Sequence, residues 1–146
     1  MSLALLGARY RYAGAARWAL AGVDLELEQG EVVGVVGASE AGKSTLGLVV
    51  AGLAPVVIHG RLEGSVTIDG RATAELAPHE LATRCAILFQ DPRAQLSGTA
   101  RTVWEEVAFG PRNLGLDVAA IAARVERCLA AVGIEDLAAR APARLS

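Results

Sequence analysis

The sequence predicts an α/β fold in which a strand of a parallel sheet runs through a glycine-rich loop into a helix. Three observations carry this: the valine run at 31–36, the glycine-rich octapeptide at 37–44 behind it, and the helical spacing of apolar residues that begins at Lys43. An almost continuous apolar run suits a strand covered on both faces, whereas a strand with one wet face alternates.

The elements follow in order. Leu3–Tyr12 reads as a short strand entering a Gly/Ala-rich loop, and residues 23–27 alternate as a half-buried strand does. Gln29-Gly30 turns the chain into the valine strand. Residues 37–42 form the loop, and residues 43–53 a helix with Leu46, Val49, Val50 and Leu53 on one face. Beyond Pro55, residues 65–69 make a strand closed by Asp69-Gly70, residues 76–83 a short helix, and residues 85–89 a second apolar strand ending at Gln90. Residues 102–109 read as a helix stopped by Gly110-Pro111. Asp117 is a good N-cap for the next helix, where Val118, Ile121, Val125, Cys128 or Leu129, and Val132 recur at helical spacing before Gly133.

Composition narrows the function. The 146 residues are 53% hydrophobic, 21% charged and only 4% aromatic, so aliphatic side chains must fill a globular core. A net charge of −2 without a basic run gives no reason to expect a nucleic-acid surface. Cys85 and Cys128 have no metal-like spacing and read as small core residues. No signal peptide is visible, and the apolar stretch at 46–58 is too short to span a bilayer. A cytoplasmic location follows, with membrane attachment only through a partner.

Gly37-Ala38-Ser39-Glu40-Ala41-Gly42-Lys43-Ser44 fits G-x-x-x-x-G-K-[ST]. Glycines let the backbone curl so that successive N–H groups face phosphate oxygens, and the helix start adds unpaired N–H groups and positive dipole. Lys43 is placed to reach β- and γ-phosphates, most readily those of ATP, and the Ser44 hydroxyl to ligate Mg²⁺. Of 14 cationic residues 13 are arginine, and Lys43 is the single lysine. A compact ammonium on a flexible stem suits a phosphate oxygen as a point charge.

The motif, extended through Thr45 and Leu46, resembles the Walker A motif of ABC transporter ATP-binding subunits, a P-loop NTPase fold with an antiparallel β-subdomain, a parallel core sheet and a helical subdomain. Phe89-Gln90-Asp91-Pro92 is similar to that family's Q-loop, whose glutamine contacts Mg²⁺ and water. Tyr12 stands where the family places an aromatic against adenine, with Tyr10 as the alternative and a core role as the rival reading. Val103-Trp104-Glu105-Glu106-Val107-Ala108-Phe109-Gly110-Pro111 and Asn113-Leu114-Gly115-Leu116 narrow the resemblance to energy-coupling-factor ATPases, which drive uptake of vitamins or metal ions such as cobalt and nickel. In isolation Glu105-Glu106 would be a solvated helix start and Phe109 a core anchor; the resemblance makes this region part of the groove for a transmembrane subunit.

The resemblance implies ATP and Mg²⁺ as cofactors. The phosphate site takes in residues Gly37, Ala38, Ser39, Glu40, Ala41, Gly42, Lys43, Ser44 and Thr45, with Gln90 beside the metal. It implies a second ATP-binding cassette and a transmembrane subunit as partners, and peripheral attachment to the inner face of the membrane. Glu40 replaces the family's usual glycine: harmless toward solvent, repulsive to phosphate if turned inward. Leu145-Ser146 matches the start of the Leu-Ser-Gly-Gly-Gln signature, and no Walker B aspartate, catalytic glutamate or switch histidine is present; His59 and His79 lie too early and read as surface or loop residues. Residues 1–146 are thus expected to be an incomplete cassette, with 1–90 as nucleotide-binding core and β-subdomain and 91–146 as Q-loop and part of the helical subdomain, leaving some apolar surface uncovered. Such a piece would bind ATP without hydrolysing it unaided. The alternatives are a non-catalytic nucleotide-binding or interaction fragment and a DNA-repair type of ABC ATPase.

Overall fold

The computed structural model of the chain describes residues 2–145. They divide into two compact units, with the division between Ile87 and Leu88.

The first unit is built on one antiparallel sheet. Its strands β1 (Leu3–Tyr12), β2 (Leu20–Leu27), β3 (Gly60–Ile68) and β4 (Arg71–Ala72) lie in the order β2-β1-β3-β4. Strand β1 is central. Leu5, Ala8 and Tyr10 point inward from it, the odd spacing being absorbed by a bulge that shifts both ladders near Gly7. Tyr10 is fully buried; its hydroxyl donates to the Ile58 carbonyl at 2.7 Å, and its ring meets Tyr12 edge-on at 5.0 Å. Burial pushes the Tyr10 phenol above its ordinary pKa, and Tyr12 beside it adds to the shift. Val49 of α1 (Lys43–Val50), Ala54 of α2 (Leu53–Val56) and Val66 complete this core.

Helix α1 is shorter than the apolar spacing predicts. It stops before Gly52, which takes a left-handed φ of 69° and lies so close to Leu81 that a Cβ would sit 2.7 Å from its Cδ1. The helix expected at 76–83 forms as the shorter α3 (Pro78–Ala82), preceded by a 3-10 turn at Thr73–Glu75. The expected strands at 31–36 and 85–89 do not form: among the described residues neither segment joins a ladder, and Val32 and Val36 are 97% and 92% exposed. A parallel strand gains its hydrogen bonds from adjacent strands and its burial from layers covering both faces. The sheet here offers none, so the apolar pattern stays uncovered, as does Leu88.

The second unit centres on α4 (Val103–Asn113) and α5 (Val118–Val132), which share a core of Val103, Ala108, Ile121, Val125 and Leu129. Both helices have side-chain N-caps: Thr102 accepts from the Glu105 N–H at 3.1 Å, and Asp117 from the Ala120 N–H at 2.9 Å. Gly133 ends α5 in the left-handed region. Leu129 occupies the buried face while Cys128 is exposed, so Cys128 is not a core residue; Cys85 is half-buried. Val118 and Val132 are also exposed, at the helix ends. Helix α4 passes through Gly110-Pro111 rather than stopping there. Near a C-terminus the proline removes only one helical donor, and the Leu114 N–H still reaches the Gly110 carbonyl at 3.1 Å. Leu145 packs against this core, whereas the second residue of the expected signature pair, Ser146, lies outside the described residues. No helix is long and apolar enough to cross a membrane among the described residues.

Candidate nucleotide site

Helix α1 begins at Lys43, and the residues ahead of it curl back on it. The Ala41 N–H donates to the Ala38 carbonyl at 3.3 Å, and the Lys43 ammonium donates to the carbonyls of Gly37 at 2.9 Å and Ala38 at 2.5 Å. The bond from Leu46 N–H to Gly42 carbonyl, 2.8 Å, opens the helical ladder. Earlier N–H groups therefore have no partner within the helix and concentrate positive potential at this end.

Gly42 links this loop to the sheet. Its φ is 87°, and a Cβ there would collide with the Ala19 carbonyl oxygen and crowd Leu20 Cδ2 at 3.1 Å. Residues 40–45 then line a cavity of about 270 Å³ together with Tyr12 and Ala19. The Tyr12 and Thr45 hydroxyls are 2.9 Å apart, which ties the end of β1 to the first turn of α1. Thr45 is buried and held by this bond, while Ser44 is exposed. Of the two tyrosines, Tyr12 lines the cavity and Tyr10 belongs to the core.

Gly37 and Ala38 meet Lys43 through their carbonyls, and Ser39 is exposed in the bend between them and the cavity. Glu40 is exposed, lines the cavity and has a left-handed φ of 63°, a conformation that costs an ordinary L-residue about 1–2 kcal/mol. That backbone requirement explains why glycine would suit the position. Ala19 was not among the expected site residues: its contribution is a backbone carbonyl and a wall, which no side-chain pattern announces.

Gln90 lies in the second unit and is exposed. Its loop is braced on both sides: the Phe89 N–H donates to Gln95 Oε1 at 2.8 Å, and Asp91 accepts from the Arg93 N–H at 3.0 Å. A separate cleft of about 280 Å³ lies at the start of α4, lined by Arg101, Glu105, Phe109 and Arg112 among others. Phe109 is 43% exposed there rather than a core anchor. Glu105 and Glu106 are not merely solvated. Glu105 accepts from the Arg101 N–H at 2.7 Å, and Glu106 from both the N–H and the hydroxyl of Ser97, at 2.6 and 2.8 Å. His59 and His79 are both exposed.

The loop closed over the first residue of the following helix, set against an antiparallel sheet, defines an N-terminal portion of a phosphate-loop α/β domain. The ABC transporter family profile matches residues 20–146, and the chain belongs to that family as part of its ATP-binding domain. A Pyrococcus abyssi protein named as an ABC transporter ATP-binding protein is 38% identical over 94% of this chain and 48% of its own length. A likewise named Geobacter sulfurreducens protein is 39% identical over 84% of the chain and 41% of its own length. The chain thus spans about half the length of the curated relatives it matches. Among solved structures, the dimeric post-hydrolysis state of the ATP-binding cassette MJ0796 bound to ADP and Pi superposes with a TM-score of 0.74 at 26% identity. The match covers 99% of this chain and 63% of that one.

Proposed function

We propose that this chain supplies one ATP site of an energy-coupling-factor importer, whose ATP binding and hydrolysis drive uptake of a vitamin or a metal ion. The observation that carries the site is Lys43 at the N-terminus of α1, inside a loop that shares a cavity with Tyr12. Lys43 and the N–H groups at the start of α1 would hold the β- and γ-phosphates. Tyr12 would take the adenine on its ring face while its hydroxyl keeps Thr45 in place. Ser44, exposed at the cavity, would offer Mg²⁺ a hard oxygen donor, and the family resemblance gives Gln90 a metal contact as well; the ion when bound would neutralise phosphate charge. Gly37, Ala38, Ser39, Ala41 and Gly42 act through backbone, and Glu40 is the one unfavourable charge.

The division of labour is that of residues 1–90 as nucleotide-binding core and β-subdomain, and 91–146 as Q-loop and part of the helical subdomain. The similarity to a dimeric cassette supports a second ATP-binding cassette as partner. The cleft with Phe109 and Arg112 supports docking of a transmembrane subunit, which would place the protein on the inner face of the membrane. The energy-coupling-factor type rests on the Phe-Gln-Asp-Pro and Phe-Gly-Pro segments.

Two experiments test this. Isothermal titration with Mg-ATP should show Lys43→Ala binding about ten- to a hundredfold more weakly, the value of one or two charge-assisted hydrogen bonds. Equal binding by both proteins would remove the phosphate-loop assignment. Disruption of the whole gene should abolish cellular uptake of one labelled vitamin, cobalt or nickel; unchanged uptake of them all would reject the importer type while leaving the ATP site intact.

A further inference from the structure

Two guanidinium groups that β1 carries lie over the Trp18 ring. Arg9 stands 4.3 Å from the indole centroid and Arg11 5.3 Å. Arg9 also pairs with Glu63 at 3.4 Å, and Glu63 with Arg61 at 2.8 Å, so the clamp is anchored on β3 as well. Such stacks are directional and hold a planar side chain in one place. Trp18 is the last residue before Ala19, whose N–H donates to the Tyr10 carbonyl at 2.8 Å and whose carbonyl lies against Gly42. The loop between the strands has few other ties: Ala13 N–H to His59 carbonyl at 3.0 Å and Ala15 N–H to Tyr12 carbonyl at 3.1 Å hold its beginning.

We propose that Trp18, clamped by Arg9 and Arg11, is a positioning residue for the nucleotide cavity: it fixes the end of the loop so that Ala19 forms the wall beside Tyr12. The inference rests on the ATP reading of this cavity. The phosphate loop keeps its own shape through the Lys43 bonds to Gly37 and Ala38, whereas the Tyr12–Ala19 side depends on the hairpin. Loss of the clamp therefore loosens the nucleoside side and spares the phosphate grip.

The test compares Mg-ATP with inorganic tripolyphosphate by titration on the full chain, with folding checked by circular dichroism. Trp18→Ala should weaken ATP about tenfold, as expected from losing two stacked cations. Tripolyphosphate affinity should stay within about twofold, and Trp18→Tyr, which keeps a stackable ring, should restore most of the ATP affinity. The double variant Arg9→Met/Arg11→Met should reproduce the selective loss, and it decides the matter by the same criterion if Trp18→Ala does not fold. Unchanged ATP affinity, or equal loss of ATP and tripolyphosphate, would overturn the proposal. Lys43→Ala separates the two readings: if it binds both ligands as the parent chain does, it is the phosphate loop that fails.

Discussion

Glu40 imposes two opposing demands on one position. Its backbone adopts a left-handed φ of 63°, and the residue lines the cavity proposed above to take phosphates. Glu40→Gly should therefore stabilise the chain by about 1 kcal/mol in urea unfolding and tighten Mg-ATP binding by removing a like charge. A stability gain without any change in affinity would place the carboxylate electrostatically outside the site. Gly42 is the converse case. There the positive φ is joined by a real obstacle, the Ala19 carbonyl, so any side chain must push the sheet and loop apart. Glu80 of α3 supplies a pH signature. Its carboxylate accepts from the Ala77 N–H at 3.0 Å and from Arg71 at 2.9 Å, and the first of these contributes most to holding its pKa below the usual value. A lowered folded-state pKa means that the stabilisation is complete above the ordinary glutamate pKa of about 4.3 and disappears as pH falls through the lowered value. Glu80→Gln should thus be less stable than the parent at pH 7, and the two should converge in strong acid.

Helix α5 shows what local information can specify: Asp117 and Gly133 mark its ends because a side-chain cap and a left-handed glycine act within a few residues of the backbone groups they serve. Its period left Cys128 and Leu129 open, and packing selects Leu129. Leu129→Ala is expected to cost about 2–5 kcal/mol in chemical denaturation, as buried leucines do, and Cys128→Ala about 0.5 kcal/mol or less, as surface changes do. The phosphate loop was legible for the same reason, since its spacing encodes a turn and a helix start in eight consecutive residues. The strands at 31–36 and 85–89 were not, because their pairing depends on partners that a hydrophobic run cannot specify. Pro111 misled in a different way: a helix breaker placed in the last turn leaves most of the ladder untouched.

At the scale of the molecule, the two units differ in what they offer. The first carries the phosphate loop and an uncovered valine segment, and the second carries Gln90 and the cleft on α4. On the proposed reading, metal and attacking water need an aspartate and a glutamate that residues 1–146 do not supply. A turnover assay on this polypeptide should accordingly detect ATP binding without phosphate release above a Lys43→Ala control; sustained release would mean that another carboxylate serves. Exposed Val32, Val36 and Leu88 should also make it bind a hydrophobic dye, and Val32→Lys/Val36→Lys should lower that signal.

With one lysine in 146 residues, the chain has a single side-chain amine, and it lies in the phosphate loop. Among these 146 residues Lys43 is thus the one side chain that amine-acylating reagents modify, and mass spectrometry locates it after one proteolytic digest. Occupancy of the loop in this polypeptide can then be footprinted chemically, residue-specifically and without mutation.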